Sequence, residues 1–358
     1  MGEVREMSNS TTSLRLADVA EAAGVSLATA SRSLRGLTGV SDEVAARVRK
    51  VAEDMGYVVN THAQSLAGGA TSIAGLIVHQ IDDPYFTEIA AGVVHAAEER
   101  GLIVQVAHSG RDPQRELRQL RSLAAQRARA IIVAGSGYVD AHLEAEARRL
   151  LATYERNGGR AAVIGRHQLG VDALLPDNRG AALAVARHLV ELGHTDVTIL
   201  SGPETLTTVQ DRLGGAVQVF AEEGVRHHVV ATDFTAAGAG PAAVQALQAW
   251  PETTAVLALN DSMAIATLVA LRRSGISVPG DVSVAGFDDV AVAELLFPSL
   301  TTARLPLAEM GREALDLATR PAASRPRRKT VAAQLMRRES TAPPRSDGPL
   351  RVRTASAS

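Results

Sequence analysis

Between residues 14 and 57, apolar side chains recur at helical spacing in three short bursts. They are Leu16, Val19, Ala20 and Ala23; then Leu27, Ala30 and Leu34; then Val44, Val48, Val51, Ala52 and Met55. The first burst runs into Gly24, a residue that takes a left-handed turn at little cost. Ser26 follows as the candidate N-cap of a second helix that stops at Gly36. Val40-Ser41-Asp42-Glu43 has a cap hydroxyl and first-turn acids at the start of a third. Two short helices joined by a glycine-containing turn form the helix-turn-helix arrangement. Ala20 is small enough for the helices to cross closely, and Val25 fills the space between them. The outward face of the second helix is short and polar, with Thr29, Ser31 and Arg32.

From Ile73 the pattern changes. Short apolar runs at 73–78, 103–106, 130–133, 161–164, 197–200, 255–259 and 282–285 alternate with amphipathic stretches of helix length. Continuous apolar strands separated by helices predict parallel sheets covered on both faces. So many strands predict an α/β core of two doubly wound subdomains behind an all-α N-terminal head. The boundaries read as a flexible arm at 1–13, the head at 14–57, a linker with a short helical centre at 58–70, a core at 71–340, and a Pro/Ser/Arg-rich disordered end at 341–358.

On spacing alone the helical hairpin reads equally as a unit for the DNA major groove or as a hairpin packed on another element. Longer motifs decide between them. DVAEAAGVS (18–26), ATASRSLRG (28–36), GYVVN (56–60) and AQSLAGG (63–69) stand in the head and linker. DDPYF (82–86), LVELGH (189–194), RLGG (212–215), LALNDSMA (257–264), VPGDVSVAGFDD (278–289) and PSLTTARLPLAEMG (298–311) stand in the core. With these motifs the chain resembles the LacI/GalR (lactose-repressor) family of bacterial transcription regulators to about residue 340. The resemblance implies a periplasmic-binding-protein-like core and a homodimer on a palindromic, CG-centred operator. It also implies a repressor whose operator affinity is controlled by a small effector, a sugar or sugar derivative, bound between the subdomains. An activator, a regulator using a corepressor and a non-regulatory cytoplasmic sugar-binding protein are the alternatives.

The same resemblance assigns residues. Ser26, Leu27, Ala28, Thr29, Ser31 and Arg32 fall on the DNA-reading helix. An Arg fork there donates to guanine O6 and N7, or alternatively to phosphate. Asn60, Ala63, Gln64 and Leu66 match a hinge that folds on the operator, Leu66 as an apolar wedge in the central base step. Val59 departs from the common pattern, in which proline is frequent. In the core, Arg212 and Asp288 are expected to grip vicinal hydroxyls. Asn260 adds a donor and an acceptor. Phe234 is a ring-stacking wall or simply a core residue, and Asp83, Tyr85 and Phe86 are the wall of the first subdomain. Asp289 and His194 read as structural, and His227-His228 as solvated.

Composition narrows the picture further. The net charge of −2 lacks the strong basic footprint of a non-specific DNA binder, so tight binding should depend on the correct site. With no cysteine, disulfides and thiolate metal sites are excluded. No secretory signal or membrane span is read, so a cytoplasmic location is expected. There is no Walker loop, G-x-S-x-G or cysteine nucleophile, so an enzyme is not expected. No cofactor and no metal are expected, and no second cation is foreseen near Arg212.

Overall fold

A computed structural model describes residues 14–34, 38–57, 71–346 and 348–350. The chain divides into two compact units, residues 1–71 and 72–358. The expected arm at 1–13, the linker residues 58–70 with Asn60, Ala63, Gln64 and Leu66, and the last eight residues lie outside the described residues.

In the first unit, α1 (Leu16–Ala22), α2 (Leu27–Leu34) and α3 (Asp42–Asp54) close on Val19, Ala20, Ala23, Ala30, Val48 and Ala52. The turn between α1 and α2 carries Gly24 at φ +65°, where any other residue would be strained. The Ser26 hydroxyl accepts from the Thr29 N–H at 3.1 Å, and the Ser41 hydroxyl accepts from the Val44 N–H at 3.4 Å, so both predicted caps form. One residue of the apolar pattern stays outside the core, in keeping with its place among the DNA-reading candidates. Leu27 is 54% exposed and does not join the core.

The second unit contains two six-stranded sheets. Its first subdomain uses β1 (Ile73–Val78), β2 (Ile103–His108), β3 (Ala130–Ala134), β4 (Arg160–Ile164), β5 (Asp172–Pro176) and β11 (Arg328–Val331), in the order β11-β5-β4-β3-β1-β2, all parallel. The second uses β6 (Asp196–Ser201), β7 (Arg226–Ala231), β8 (Ala255–Ala258), β9 (Ser283–Asp288), β10 (Thr301–Arg304) and β12 (Gln334–Met336), in the order β12-β10-β9-β8-β6-β7. Only β12 runs antiparallel to its neighbour among these strands. The strand order reverses between β3 and β1 in one sheet and between β8 and β6 in the other. Loops diverge at such switch points and leave a crevice at the carboxyl ends of the strands.

The chain passes between the subdomains three times: after β5 into α7 (Asn178–Glu191), after β10 into α12 (Leu307–Thr319), and from β11 to β12. Helix α12 returns to the first subdomain against α4 (Pro84–Glu98). The backbones of these two helices nearly touch. A Cβ on Gly92 would lie 1.8 Å from the Ala308 carbonyl oxygen, and one on Gly311 would lie 2.1 Å from that of Ile89.

The C-terminal end departs from expectation. Rather than being disordered from 341, it is docked on the second subdomain as far as described. Arg345 donates to the carbonyl oxygens of Thr253, Asp281 and Pro251 at 2.9, 2.7 and 2.5 Å, and the Leu350 N–H donates to Pro251 O at 2.7 Å. Composition misleads here because one guanidinium satisfies several loop carbonyls at once. His227 and His228 are likewise half-buried rather than solvated. His228 stacks on Trp250 with centroids 4.2 Å apart.

Gly92→Ala should separate α4 from α12, a clash that outweighs the roughly 1 kcal/mol of helix propensity that alanine brings. The expected outcome is a net loss of about 2 kcal/mol, read from the urea midpoint at unchanged slope.

Candidate functional site

In the head, helix α2 presents Leu27, Ala28, Ser31 and Arg32 on its outward side, where residues three and four apart are neighbours. Leu27, Ala28 and Arg32 are exposed, and Thr29 and Ser31 are half-buried. The Ser26 and Thr29 hydroxyls lie 2.9 Å apart and bond to each other, so the helix start already uses them. Ala30 faces the head's own core.

In the second unit, all seven core candidates line one cleft at the switch points: Asp83, Tyr85, Phe86, Arg212, Phe234, Asn260 and Asp288. The topology explains the convergence. Asp83 caps α4 just beyond β1, its carboxylate accepting from the Tyr85 N–H at 3.1 Å. Asn260 caps α10 (Asp261–Arg273) just beyond β8, accepting from the Met263 N–H at 2.7 Å. Asp288 ends β9, Phe234 follows β7, and Arg212 reaches in from α8 (Thr207–Glu222).

Arg212 is buried, and each of its three guanidinium nitrogens makes one hydrogen bond. It donates to Asn178 Oδ1 at 2.9 Å, to the Leu259 carbonyl at 2.7 Å and to Asp288 Oδ1 at 2.7 Å, and it lies over the Phe287 ring, 4.8 Å from the centroid. Burial pushes the Asp288 carboxyl up to about 6, although Arg212 opposes the rise. Asp261 behind it is raised as well, first by burial and then by the charge of Asp288; its oxygens accept from Thr302 Oγ1 at 2.6 Å and the Val290 N–H at 3.0 Å. Asp289 points away from the cleft and is held by Arg304 at 2.5 Å and Arg338 at 2.6 Å. His194 is also placed structurally, with Thr254 Oγ1 2.8 Å from its Nδ1.

Further residues of the cleft escaped sequence reading: His79, Arg111, Ser136 and Thr208. The first three follow the ends of β1, β2 and β3, so the positions just after the predicted apolar runs were the available signal. Arg111 corrects the expectation that no second cation lies near Arg212. Its guanidinium sits 5.4 Å from the Phe234 ring centroid and donates to the Phe234 carbonyl at 3.4 Å. Arg111, Phe234 and Asp288 all have positive φ, at 59°, 65° and 111°. Strain of this kind gathers where side chains are held for a ligand.

Two arginines and two aspartates balance the formal charge of the lining, because His79 stays neutral. Burial first, and then the charge of Arg111, lowers its imidazole to about 3. Bonds cross the cleft directly: Ser262 Oγ to Asp83 at 3.2 Å, the Ala291 N–H to Glu88 at 2.7 Å and the Thr208 N–H to Ser136 Oγ at 3.0 Å. The space left is about 40 Å³, room for about three waters.

Residues 15–60 match the family model of bacterial regulatory proteins of the lacI family, and residues 186–341 match that of a periplasmic binding protein-like domain. The HTH-type transcriptional regulator GalR of Escherichia coli is 31% identical over 314 residues, covering 86% of this chain and 89% of that protein. The chain belongs to the lacI family of bacterial regulatory proteins. The HTH-type transcriptional regulator DegA of Bacillus subtilis is similar to the same degree, 31% over 301 residues, covering 83% and 88%. Among solved structures, a transcriptional regulator CelR–cellobiose complex superposes with a TM-score of 0.65 at 28% identity, covering 91% of this chain and 99% of that one. A lac repressor dimer bound to operator and anti-inducer has a TM-score of 0.78 at 24% identity, covering 92% and 99%, and shares the fold. This lacI-family protein is therefore a DNA-binding transcriptional regulator and not an enzyme, with a head that reads DNA and a core built to hold a small ligand. No helix among the described residues is long and apolar enough to cross a membrane.

The folded-state pKa of His79 lies below its unfolded value of about 6.5, so the unfolded chain binds more protons between them. Its contribution to stability is complete above pH 6.5 and is lost as pH falls toward 3. Acidification from pH 7 to 5 should cost the native protein about 2 kcal/mol more than it costs His79→Gln, read from paired urea titrations.

Proposed function

We propose that this lacI-family protein is a repressor released from, or held on, its operator by a neutral polyhydroxylated effector, a sugar or sugar derivative. The observation that carries the reading is the charge-balanced cleft in which Arg212 and Asp288 stand side by side, donor beside acceptor, with the Phe234 ring in the lining. A carboxylate accepts from hydroxyls and a guanidinium donates to them, while an apolar ring covers the C–H face of a sugar. With Arg111 balanced by Asp83, an anionic ligand gains no net attraction. The CelR complex contains cellobiose, and a further solved relative, from Arthrobacter, contains lactose.

The cleft as it stands is too small for a sugar ring, so binding replaces the cross-cleft bonds and changes how the subdomains meet. The effector must favour one arrangement over the other, and operator DNA must do so reciprocally. In this reading the hinge residues Asn60, Ala63, Gln64 and Leu66 order on the operator, and Leu66 wedges into a CG step at the centre of a palindrome. Arg32 reads a guanine, with Leu27 and Ala28 against neighbouring base edges and Ser26, Thr29 and Ser31 toward base or phosphate. The regulator works as a cytoplasmic homodimer. The exposed apolar side chains Leu295 and Phe297, at 82% and 85%, support a second copy as the partner of that face.

Fluorescence anisotropy on DNA upstream of the protein's own gene tests the reading against a scrambled duplex. Arg32→Ala should weaken specific binding at least tenfold, leave scrambled DNA almost unaffected and reduce discrimination at one base pair. In a carbohydrate panel, the active sugar should shift operator affinity of the native protein and leave Asp288→Asn unresponsive while it still binds operator. A panel in which no neutral carbohydrate binds the core by calorimetry would overturn the sugar assignment.

A further inference from the structure

Behind the cleft wall, in the first subdomain, the fold gathers three ionisable side chains far apart in sequence. Glu116 comes from α5 (Pro113–Ala125), Glu144 from the end of the 3-10 turn Ala141–Glu144, and His167 from the loop after β4. Each offers a donor atom within 4.8 Å of the other two, and all three are buried, with 2%, 1% and 5% exposure. We propose that Glu116, Glu144 and His167 form a site for one divalent transition-metal ion, zinc being the ion that best suits the donor set.

The hydrogen bonding around the three groups is that of a metal site with its outer partners already in place. His167 Nε2 lies 3.1 Å from the Gly135 carbonyl, which can only accept, so that nitrogen carries a proton and Nδ1 is the one turned toward the carboxylates. A backbone carbonyl on one ring nitrogen is what fixes the tautomer of a metal-binding histidine. Glu144 Oε2 accepts from the Gln168 N–H at 2.7 Å, leaving Oε1 directed at His167 Nδ1, also at 2.7 Å. In the metal-free protein a proton bridges that pair; on binding, it leaves to solvent and the ion takes its place. Tetrahedral zinc bonds of about 2.0–2.1 Å set donors about 3.4 Å apart, so the pair need part by only roughly 0.7 Å.

Glu116 supplies the independent sign that something is missing. Its Oε2 is buried and has no hydrogen-bond partner. The hydroxyl of Tyr138, 3% exposed, also lacks a partner, and burial first, then the nearby charges of Glu116 and Glu144, raise its pKa. Buried polar atoms are nearly always satisfied, and an orphaned carboxylate oxygen beside a histidine–carboxylate pair leaves a place for a ligand that all three side chains can meet. Two carboxylates and a neutral imidazole neutralise a divalent ion, and imidazole favours zinc over magnesium or calcium. The Gly135 carbonyl that orients His167 belongs to a residue lining the effector cleft, so the site braces the wall of the cleft.

The test uses the full-length protein freed of metal with chelator, titrated with Zn²⁺ by calorimetry and with Co²⁺ by visible absorption, alongside Glu116→Gln. The expected result is one ion per chain, a Co²⁺ d–d band, and a Tm that rises by several degrees with Zn²⁺. Uptake in Glu116→Gln should fall at least thirtyfold, while its anisotropy on operator DNA stays native. Uptake unchanged in Glu116→Gln would place the ion on surface histidines and overturn the proposal. So would no uptake by the native protein, whose Glu116 would then simply be protonated. If Glu116→Gln fails to fold, the native protein alone decides: no d–d band and no Tm shift with Zn²⁺ overturn the site.

Discussion

The second unit depends on a buried positive charge. Arg212 sits almost without solvent on α8, and a guanidinium in that position must meet acceptors on every side or forfeit several kcal/mol. Its acceptors come from three separate stretches of chain: Asn178 at the passage between the subdomains, the Leu259 carbonyl beyond β8, and Asp288 at the end of β9. Satisfying one side chain therefore fixes the relative positions of two strand ends and a crossover. The cost of burial is met by geometry that also builds the cleft.

Asp288 shows the other side of that bargain. Arg212 alone does not hold its carboxyl low, because burial, helped by the charge of Asp83, outweighs the attraction. A carboxylate kept with one oxygen on Arg212 in a strained backbone is poised for a further donor. Asp289, one residue on, is bound by two arginines and takes no part in the cleft. Two adjacent aspartates thus acquire different roles from their surroundings and not from their chemistry.

The bonds that join the two subdomains include Ser262–Asp83, Ala291–Glu88, Thr208–Ser136 and the exposed Arg166–Asp211 pair, whereas α4 and α12 meet backbone to backbone within the first subdomain. Tight packing within a subdomain and replaceable hydrogen bonds between them make relative movement the cheapest response to a ligand. Each bond exchanged for a contact to ligand or water costs little net free energy, while separating interlocked helices exposes apolar surface that water cannot compensate. An effector that occupies the cleft therefore acts on the arrangement of subdomains before it acts on either core.

Local chemistry was enough to place the head. Gly24, Ser26 and Ser41 act within one turn of their own position, so turn and caps are legible without knowing the fold. Continuous apolar runs likewise announced β1, β3, β4, β6, β8 and β9, because strands covered on both faces have no reason to alternate. Of the edge strands, β2 was legible from its apolar run at 103–106, but β7, β11 and β12 were not. β11 is mostly exposed and charged and β7 alternates, since an edge is protected by polar side chains and pairs only because its neighbour is there. The family motifs named seven residues that the tertiary structure then brought to one cleft. Arg111 and His79 joined them because loops from non-adjacent strands converge at a switch point, and nothing in a linear pattern records which loops will meet. The docking of Arg345 on three carbonyls and the meeting of Glu116, Glu144 and His167 share that cause. Periodicity determines which face of an element is buried, but only the packed fold decides which buried polar atoms must find one another.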